Sequence, residues 1–152
     1  MHKPRLRRLD WVYTDNPVYF VTACTNARRH LLDNERAHSV FRCFCEEGVP
    51  RGVWVGRYVL MPDHIHLFVA VASNGPSLSE WMKALKRTMN SAFAQASQPD
   101  PFWQKGFFDR VLRSEESYAK KWEYVRLNPV RAGLVSRAED WLYQGEINPL
   151  TL

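Results

Sequence analysis

The sequence predicts an antiparallel α+β fold of the split βαβ type, in which one sheet carries two crossover helices and a further helix follows near the C-terminal end. Three observations predict it. Four runs rich in β-branched and aromatic residues recur along the chain, and two amphipathic helical stripes with cap signals interrupt them in the order β-α-β-β-α-β. The middle two strands are joined by Met61-Pro62-Asp63 alone, a connection so short that they must pair as an antiparallel hairpin. The 152 residues amount to one ordinary domain, long enough to bury roughly two-thirds of its unfolded surface without disulfides or a structural metal.

The opening arm, with Lys3, Arg5, Arg7 and Arg8, is too polar for a core element, so residues 1–14 read as a basic tail. After the turn signal Asp15-Asn16-Pro17, Val18 to Thr25 is dense in strand formers and reads as a buried strand. Asp33 or Asn34 caps a first helix that runs to Glu47, with Ala37, Val40, Phe41 and Phe44 on one face and Gly48 as its stop. Val53 to Leu60 and His64 to Val71 form the hairpin, closed off by Asn74-Gly75-Pro76. Ser77-Leu78-Ser79-Glu80 carries the S-x-x-E capping-box pattern, and Leu78, Met82, Leu85, Met89 and Phe93 extend a second helical stripe to about Ala96. A polar breaker, Ser97 to Pro101, precedes Phe102 to Leu112, which reads as a fourth strand. Ser114 with Glu115 and Glu116 behind it opens a last helix reaching at least Leu127, where Pro129 and Gly133 end or kink it. The order is that of a ferredoxin-like sheet with both crossover helices on one face, leaving the other face open for a ligand or for the last helix.

Composition narrows the function. With 45% hydrophobic, 13% aromatic and 24% charged residues the chain can form a real core, which excludes a disordered or low-complexity protein. No apolar run approaches the roughly 20 residues of a membrane span, and the basic start has no apolar segment behind it. A soluble, unexported protein is expected. Cys24, Cys43 and Cys45 are odd in number and lack CxxC spacing, so neither a disulfide framework nor a zinc knuckle is indicated and a reducing cytoplasm fits. The net charge of +5 gives a mild bias toward polyanionic partners.

Two groups of residues stand out chemically. His64-Ile65-His66 lies on the second hairpin strand, where the period of two puts both imidazoles on one face, roughly 7 Å apart by strand rise. Two such rings can share a metal ion if they converge, or can simply be satisfied histidines; the apolar flanks favour a functional face, since a packed central strand has little other use for two polar rings. On the last helix Tyr124 and Asn128 are one turn apart on the same face. On spacing alone Tyr124 reads as a core aromatic and Asn128 as a cap before Pro129; a nucleophile beside a hard-metal ligand is the alternative. Tyr118 competes as a nucleophile from a different face of that helix. Lys83, Lys86 and Arg87 form a basic stripe on the second helix, and Lys120, Lys121, Arg126 and Arg131 cluster around Tyr124, as on any solvated face or as on one that meets a phosphodiester backbone.

The segments Tyr58-Val59-Leu60-Met61-Pro62-Asp63-His64-Ile65-His66-Leu67 and Tyr124-Val125-Arg126-Leu127-Asn128-Pro129-Val130-Arg131-Ala132-Gly133-Leu134-Val135 closely resemble the single-tyrosine HUH transposases. Among these, the chain looks most like the REP-associated tyrosine transposases, domesticated relatives of the enzymes of the smallest bacterial insertion sequences. Phe102-Trp103-Gln104, Asp109 to Ser114 and the Phe20-Val21-Thr22 strand extend the resemblance over about Asp15 to Val135. It implies a single catalytic domain over 1–152, with 136–152 a C-terminal extension, that cuts and rejoins single-stranded DNA. His64 and His66 would be ligands of a divalent metal, Mg²⁺ or Mn²⁺, and Tyr124 the nucleophile. Insertion-sequence members carry a glutamine as third ligand one turn after the tyrosine, where this chain has Asn128. The family reads hairpin DNA beside a short single-stranded guide, so Arg5, Arg7, Arg8, Lys83, Lys86, Arg87, Lys121 and Arg126 are the expected DNA contacts, set mostly on phosphates. Members act as monomers or as homodimers, and a bacterial cytoplasmic, nucleoid-associated protein with no membrane partner is expected.

Two other classes of function fit parts of the pattern. A non-catalytic nucleic-acid-binding module would stack bases on exposed sheet aromatics such as Tyr58 or Phe68 without metal. A hydrolase of small phosphoesters would use His64, His66 and a metal-activated water and form no covalent adduct.

Overall fold

The computed structural model describes residues 16–93 and 101–152. Five strands, β1 (Val18–Cys24), β2 (Val53–Met61), β3 (His64–Val71), β4 (Phe108–Leu112) and β5 (Gln144–Glu146), form one antiparallel sheet in the order β4-β1-β3-β2-β5. The first four strands and the two helices between them have the predicted split βαβ order. Helix α1 (Glu35–Glu47) begins at Asn34, whose side-chain oxygen accepts from the Ala37 amide, and ends at Gly48. Helix α2 (Leu78–Met89) is closed at its start by the expected reciprocal pair, Ser77 accepting from the Glu80 amide and Glu80 from the Ser77 amide.

Alternation along the strands sorts the two faces. Val21 and Ala23 of β1, Val55, Tyr58 and Leu60 of β2, and Ile65, Leu67 and Val69 of β3 turn toward α1 and α2, where Phe41, Trp81, Met82, Leu85 and Met89 complete the main core. Tyr58 is fully buried there, its hydroxyl held by His38 and Arg42, so it is not available as a stacking platform.

The opposite face is covered. Helix α3 (Glu115–Val125), capped by Ser114, lays Tyr118, Trp122 and Val125 on Phe20, Val59, Met61 and Phe68, which buries Phe68 as well. Gly56 sits under the helix at an irregularity between Val55 and Tyr58, where a Cβ would lie 2.6 Å from the Tyr118 hydroxyl. The C-terminal segment closes the sheet: β5 pairs with Arg57–Val59, Trp141 donates from its indole to the Leu60 carbonyl at 3.0 Å, and Leu150 is buried beside Tyr118.

Three expectations are corrected. The fourth strand spans only Phe108–Leu112, because Phe102–Phe107 is a loop whose Gln104 and Gly106 carbonyls are held by the Lys86 ammonium. The last helix stops at Val125, and after a break a separate turn, α4 (Asn128–Arg131), starts with Pro129 in its first turn, where the missing N–H costs nothing. The second helix gives way at Asn90 to a single tighter turn ending at Ala92, with Ala96 outside the described residues.

Candidate active site

The hairpin turn at Pro62-Asp63 is what fixes the first imidazole. The loop after β1 wraps around it: the Thr25 amide donates to the Asp63 carbonyl at 3.0 Å, and the Leu31 and Leu32 amides both reach the Pro62 carbonyl. Within that loop Ala27 and Arg28 hold left-handed backbone, at φ of 57° and 53°, a strained arrangement for residues with a Cβ. It brings Arg28 Nε to 2.9 Å from Asp63 Oδ2. The other carboxylate oxygen, Oδ1, lies 2.8 Å from His64 Nδ1. Burial pushes the Asp63 carboxyl up, but the hydrogen bonds from Arg28 and His64 outweigh it and hold the group below the usual carboxylate range. An ionised Asp63 accepts the Nδ1–H of His64, which leaves Nε2 with the lone pair.

The second imidazole is set by cross-strand register. His66 stands opposite Thr22 of β1, and Thr22 Oγ1 lies 2.9 Å from His66 Nδ1. With Nδ1–H donating to that oxygen, Nε2 of His66 also carries the free lone pair. Phe20 stacks on the His66 ring at 5.2 Å between centroids. Burial, then the charges of His64, Lys121 and Arg131, lower the His66 pKa to about 3, so this ring stays neutral over the whole physiological range. The two imidazoles converge to 4.7 Å between centroids at an interplanar angle of 78°. That is closer than strand rise alone would put them, so the two rings converge. Among the described residues no group of three His, Cys, Asp or Glu is placed to hold a metal.

Tyr124 lies on the exposed side of α3, 61% accessible, against 6% for Tyr118. The Tyr118 hydroxyl accepts from the Arg57 amide and burial pushes its pKa up to about 12, so the competing nucleophile is a core residue. Two cations bracket Tyr124. The Arg131 guanidinium lies 3.9 Å from its ring centroid and donates to the Tyr124 carbonyl and to the Asn128 side-chain oxygen. Lys121 sits 6.0 Å from the Tyr124 centroid and 5.2 Å from that of Phe20, the ring stacked on His66. Lys121 thus lies between the tyrosine ring and the ring stacked on His66. Asn128 is tied to the tyrosine's turn through Arg131, which bridges its side-chain oxygen and the Tyr124 carbonyl.

The remaining expected DNA contacts are distributed differently. Arg126 is half-buried in a two-pronged pair with Glu123. Lys83, Lys86 and Arg87 are on α2, across the sheet from the histidines, and Lys86 is committed to the 104–106 loop. Arg5, Arg7 and Arg8 lie outside the described residues. Sequence reasoning did not assign Thr22, Arg28 and Asp63 to the site, and left Arg131 as one basic residue among several. Asp63 had a signal, since a carboxylate next to a ligating histidine is a common outer partner. Thr22 had none, because its role exists only once β1 and β3 are in register.

A histidine pair on the central strand of a ferredoxin-like sheet and a helix-borne tyrosine between two cations make up the candidate site, and comparison with known proteins gives the family. The model of the family Transposase IS200 like matches residues 14–126, and the chain belongs to that family. A REP-associated tyrosine transposase of Escherichia coli (strain K12) is 22% identical over 129 residues, covering 85% of this chain and 76% of that protein. A solved structure of a REP-associated tyrosine transposase bound to a REP hairpin superposes with a TM-score of 0.66 at 21% identity, over 87% of this chain and 78% of that one. The shared fold is the one described above. Among the described residues no helix is long and apolar enough to cross a membrane.

Proposed function

We propose that this transposase-family protein cuts and rejoins single-stranded DNA next to a hairpin of the REP type, with Tyr124 as nucleophile. The observation that carries the reading is an exposed tyrosine flanked by Lys121 and Arg131, with Lys121 also over the ring stacked on His66, and two converging imidazoles whose Nδ1 atoms are both engaged and whose Nε2 atoms have no hydrogen-bond partner among the described residues.

His64 and His66 would hold a divalent metal, with Asn128 as a further oxygen donor. When bound, such an ion polarises the scissile phosphate and offsets charge that develops on it. The protein's own groups do the rest. Arg131 and Lys121 place positive charge beside the phenol, where negative charge develops as its proton leaves. The Tyr124 oxygen attacks phosphorus, the bond to the 3′-oxygen breaks, and that oxygen takes up a proton as a free 3′-hydroxyl. The phosphate stays on Tyr124 as a 5′-phosphotyrosine ester, so a 3′-hydroxyl of a second strand can reverse the step and join ends without another energy source.

The test is a denaturing gel with 5′- and 3′-labelled hairpin oligonucleotides, with and without Mn²⁺. The reading expects a metal-dependent protein adduct that keeps only the 3′ label and is absent from Tyr124→Phe. Binding with no adduct from any substrate would leave a non-catalytic module, and cleavage that survives Tyr124→Phe would point to water as the nucleophile.

A further inference from the structure

Beside the histidine pair, on the edge of the sheet, is a cleft of about 250 Å³ lined by Phe20, Thr22, Phe108, Asp109, Arg110 and Lys121. Its placement follows from register. Thr22 pairs with His66 on one side and with Phe108 on the other, so Phe108 stands on the same face as His66, two strand spacings away, or about 10 Å. Phe108 is 71% accessible, an unusual position for a large apolar ring at the start of an edge strand. Arg110, two residues on, shares its face and pairs with Phe20, while Lys121 lies over the Phe20 ring at 5.2 Å. The carboxylate of the group, Asp109, belongs to the opposite alternation of β4.

The cleft therefore joins an exposed aromatic ring to two cations, and its lining includes Thr22 and Phe20, which touch His66, and Lys121, which lies against the Tyr124 ring. An aromatic face next to basic side chains is the arrangement that takes one unpaired nucleobase and its phosphate, because stacking serves any base and the cations serve the backbone. A neutral apolar partner would have no use for Arg110 and Lys121, and a duplex could not insert a base.

We infer that Phe108 is a stacking platform for an unpaired nucleobase flanking the scissile phosphate, with Arg110 and Lys121 holding the adjoining backbone. This rests on the proposed function for its orientation relative to the cut, but base binding at the cleft can be tested separately. The measurement is fluorescence anisotropy of a labelled (dT)12 oligonucleotide with the full-length protein and with Phe108→Ala, Phe108→Trp and Arg110→Gln, thermal unfolding serving as the control for folding.

Phe108→Ala should weaken binding by about 5- to 100-fold, as loss of one stacked base does, and Phe108→Trp should restore it to within about threefold of wild type. Arg110→Gln should lower the slope of log affinity against log salt by about one, the signature of one lost phosphate contact. Equal affinity of wild type and Phe108→Ala would overturn the inference, as would wild-type protein that binds no (dT)12. An adduct on Tyr124 with (dT)12 affinity indifferent to Phe108 would sink the cleft and leave the proposed function standing. Phe108-dependent binding with no adduct would do the reverse.

Discussion

Asp63→Asn separates what the carboxylate does for His64 from what it does for the fold. The substitution keeps an oxygen where Oδ1 accepts from His64 Nδ1, at 2.8 Å, but removes the charge that makes this bond strong and that attracts Arg28. The ion pair with Arg28 is a small term for stability, since the Arg28 side chain is 53% accessible and exposed pairs contribute about 0–1 kcal/mol. Unfolding should thus shift by only a few degrees. The effect on His64 is larger, because charge-assisted hydrogen bonds are about twice as strong as neutral ones and outer partners of ligating histidines are worth roughly 10- to 100-fold in metal affinity. Asp63→Asn should therefore weaken Mn²⁺ binding, measured by isothermal titration calorimetry, by about tenfold, and Asp63→Ala by more. Mn²⁺ affinity in Asp63→Asn within twofold of wild type, with the fold intact, would refute the view that Asp63 orients a metal ligand.

Gly56→Ala should destabilise the protein, because the new methyl would lie 2.6 Å from the Tyr118 hydroxyl and 2.7 Å from Leu150 Cδ1; overpacking of this kind costs about 1–3 kcal/mol, read as a lower midpoint in thermal or urea unfolding. Tyr118→Phe should keep strand cleavage and lose about 1 kcal/mol of stability with its hydrogen bond to the Arg57 amide, so loss of the covalent adduct in a folded Tyr118→Phe protein would restore Tyr118 as a nucleophile. His38 is held below its ordinary pKa by burial and by Arg42. The unfolded chain then binds the extra proton first, so stability should fall as pH drops below about 6.5. His66, lowered further, adds to the same slope, so His38→Gln should make that part of the urea midpoint against pH shallower without abolishing it, and an unchanged slope would argue against it.

How much of this was legible in the sequence depended on whether a feature is local. Both crossover helices announced their starts through Asn34 and through Ser77 with Glu80, because caps are satisfied within one turn. The His64 strand was legible from its run of strand-forming residues and its short hairpin turn. β5 was not, since Gln144-Gly145-Glu146 has no strand propensity and exists only by pairing with Arg57–Val59. The Phe102–Phe107 stretch misled for the opposite reason: its aromatics belong to a loop that Trp103 and Lys86 pin onto α2. The site divides the same way. His64, His66 and Tyr124 were visible as residues, whereas the roles of Thr22 and Arg28 come from contacts between elements distant in sequence, and that of Arg131 from the break after Val125 that folds the next turn back onto Tyr124.

The most direct test of the central claim is to find which side chain carries DNA. Trapped protein–DNA complex, digested with nuclease and trypsin, yields Trp122–Arg126, whose hydroxyl-bearing residue is Tyr124 alone, and Ser114–Lys120, which holds Tyr118. Mass spectrometry should find a nucleotide remnant, linked through a 5′-phosphate, on the Trp122–Arg126 peptide. The same remnant on Ser114–Lys120, or on neither peptide from a reaction that has cut DNA, would contradict the assignment of Tyr124 as the nucleophile.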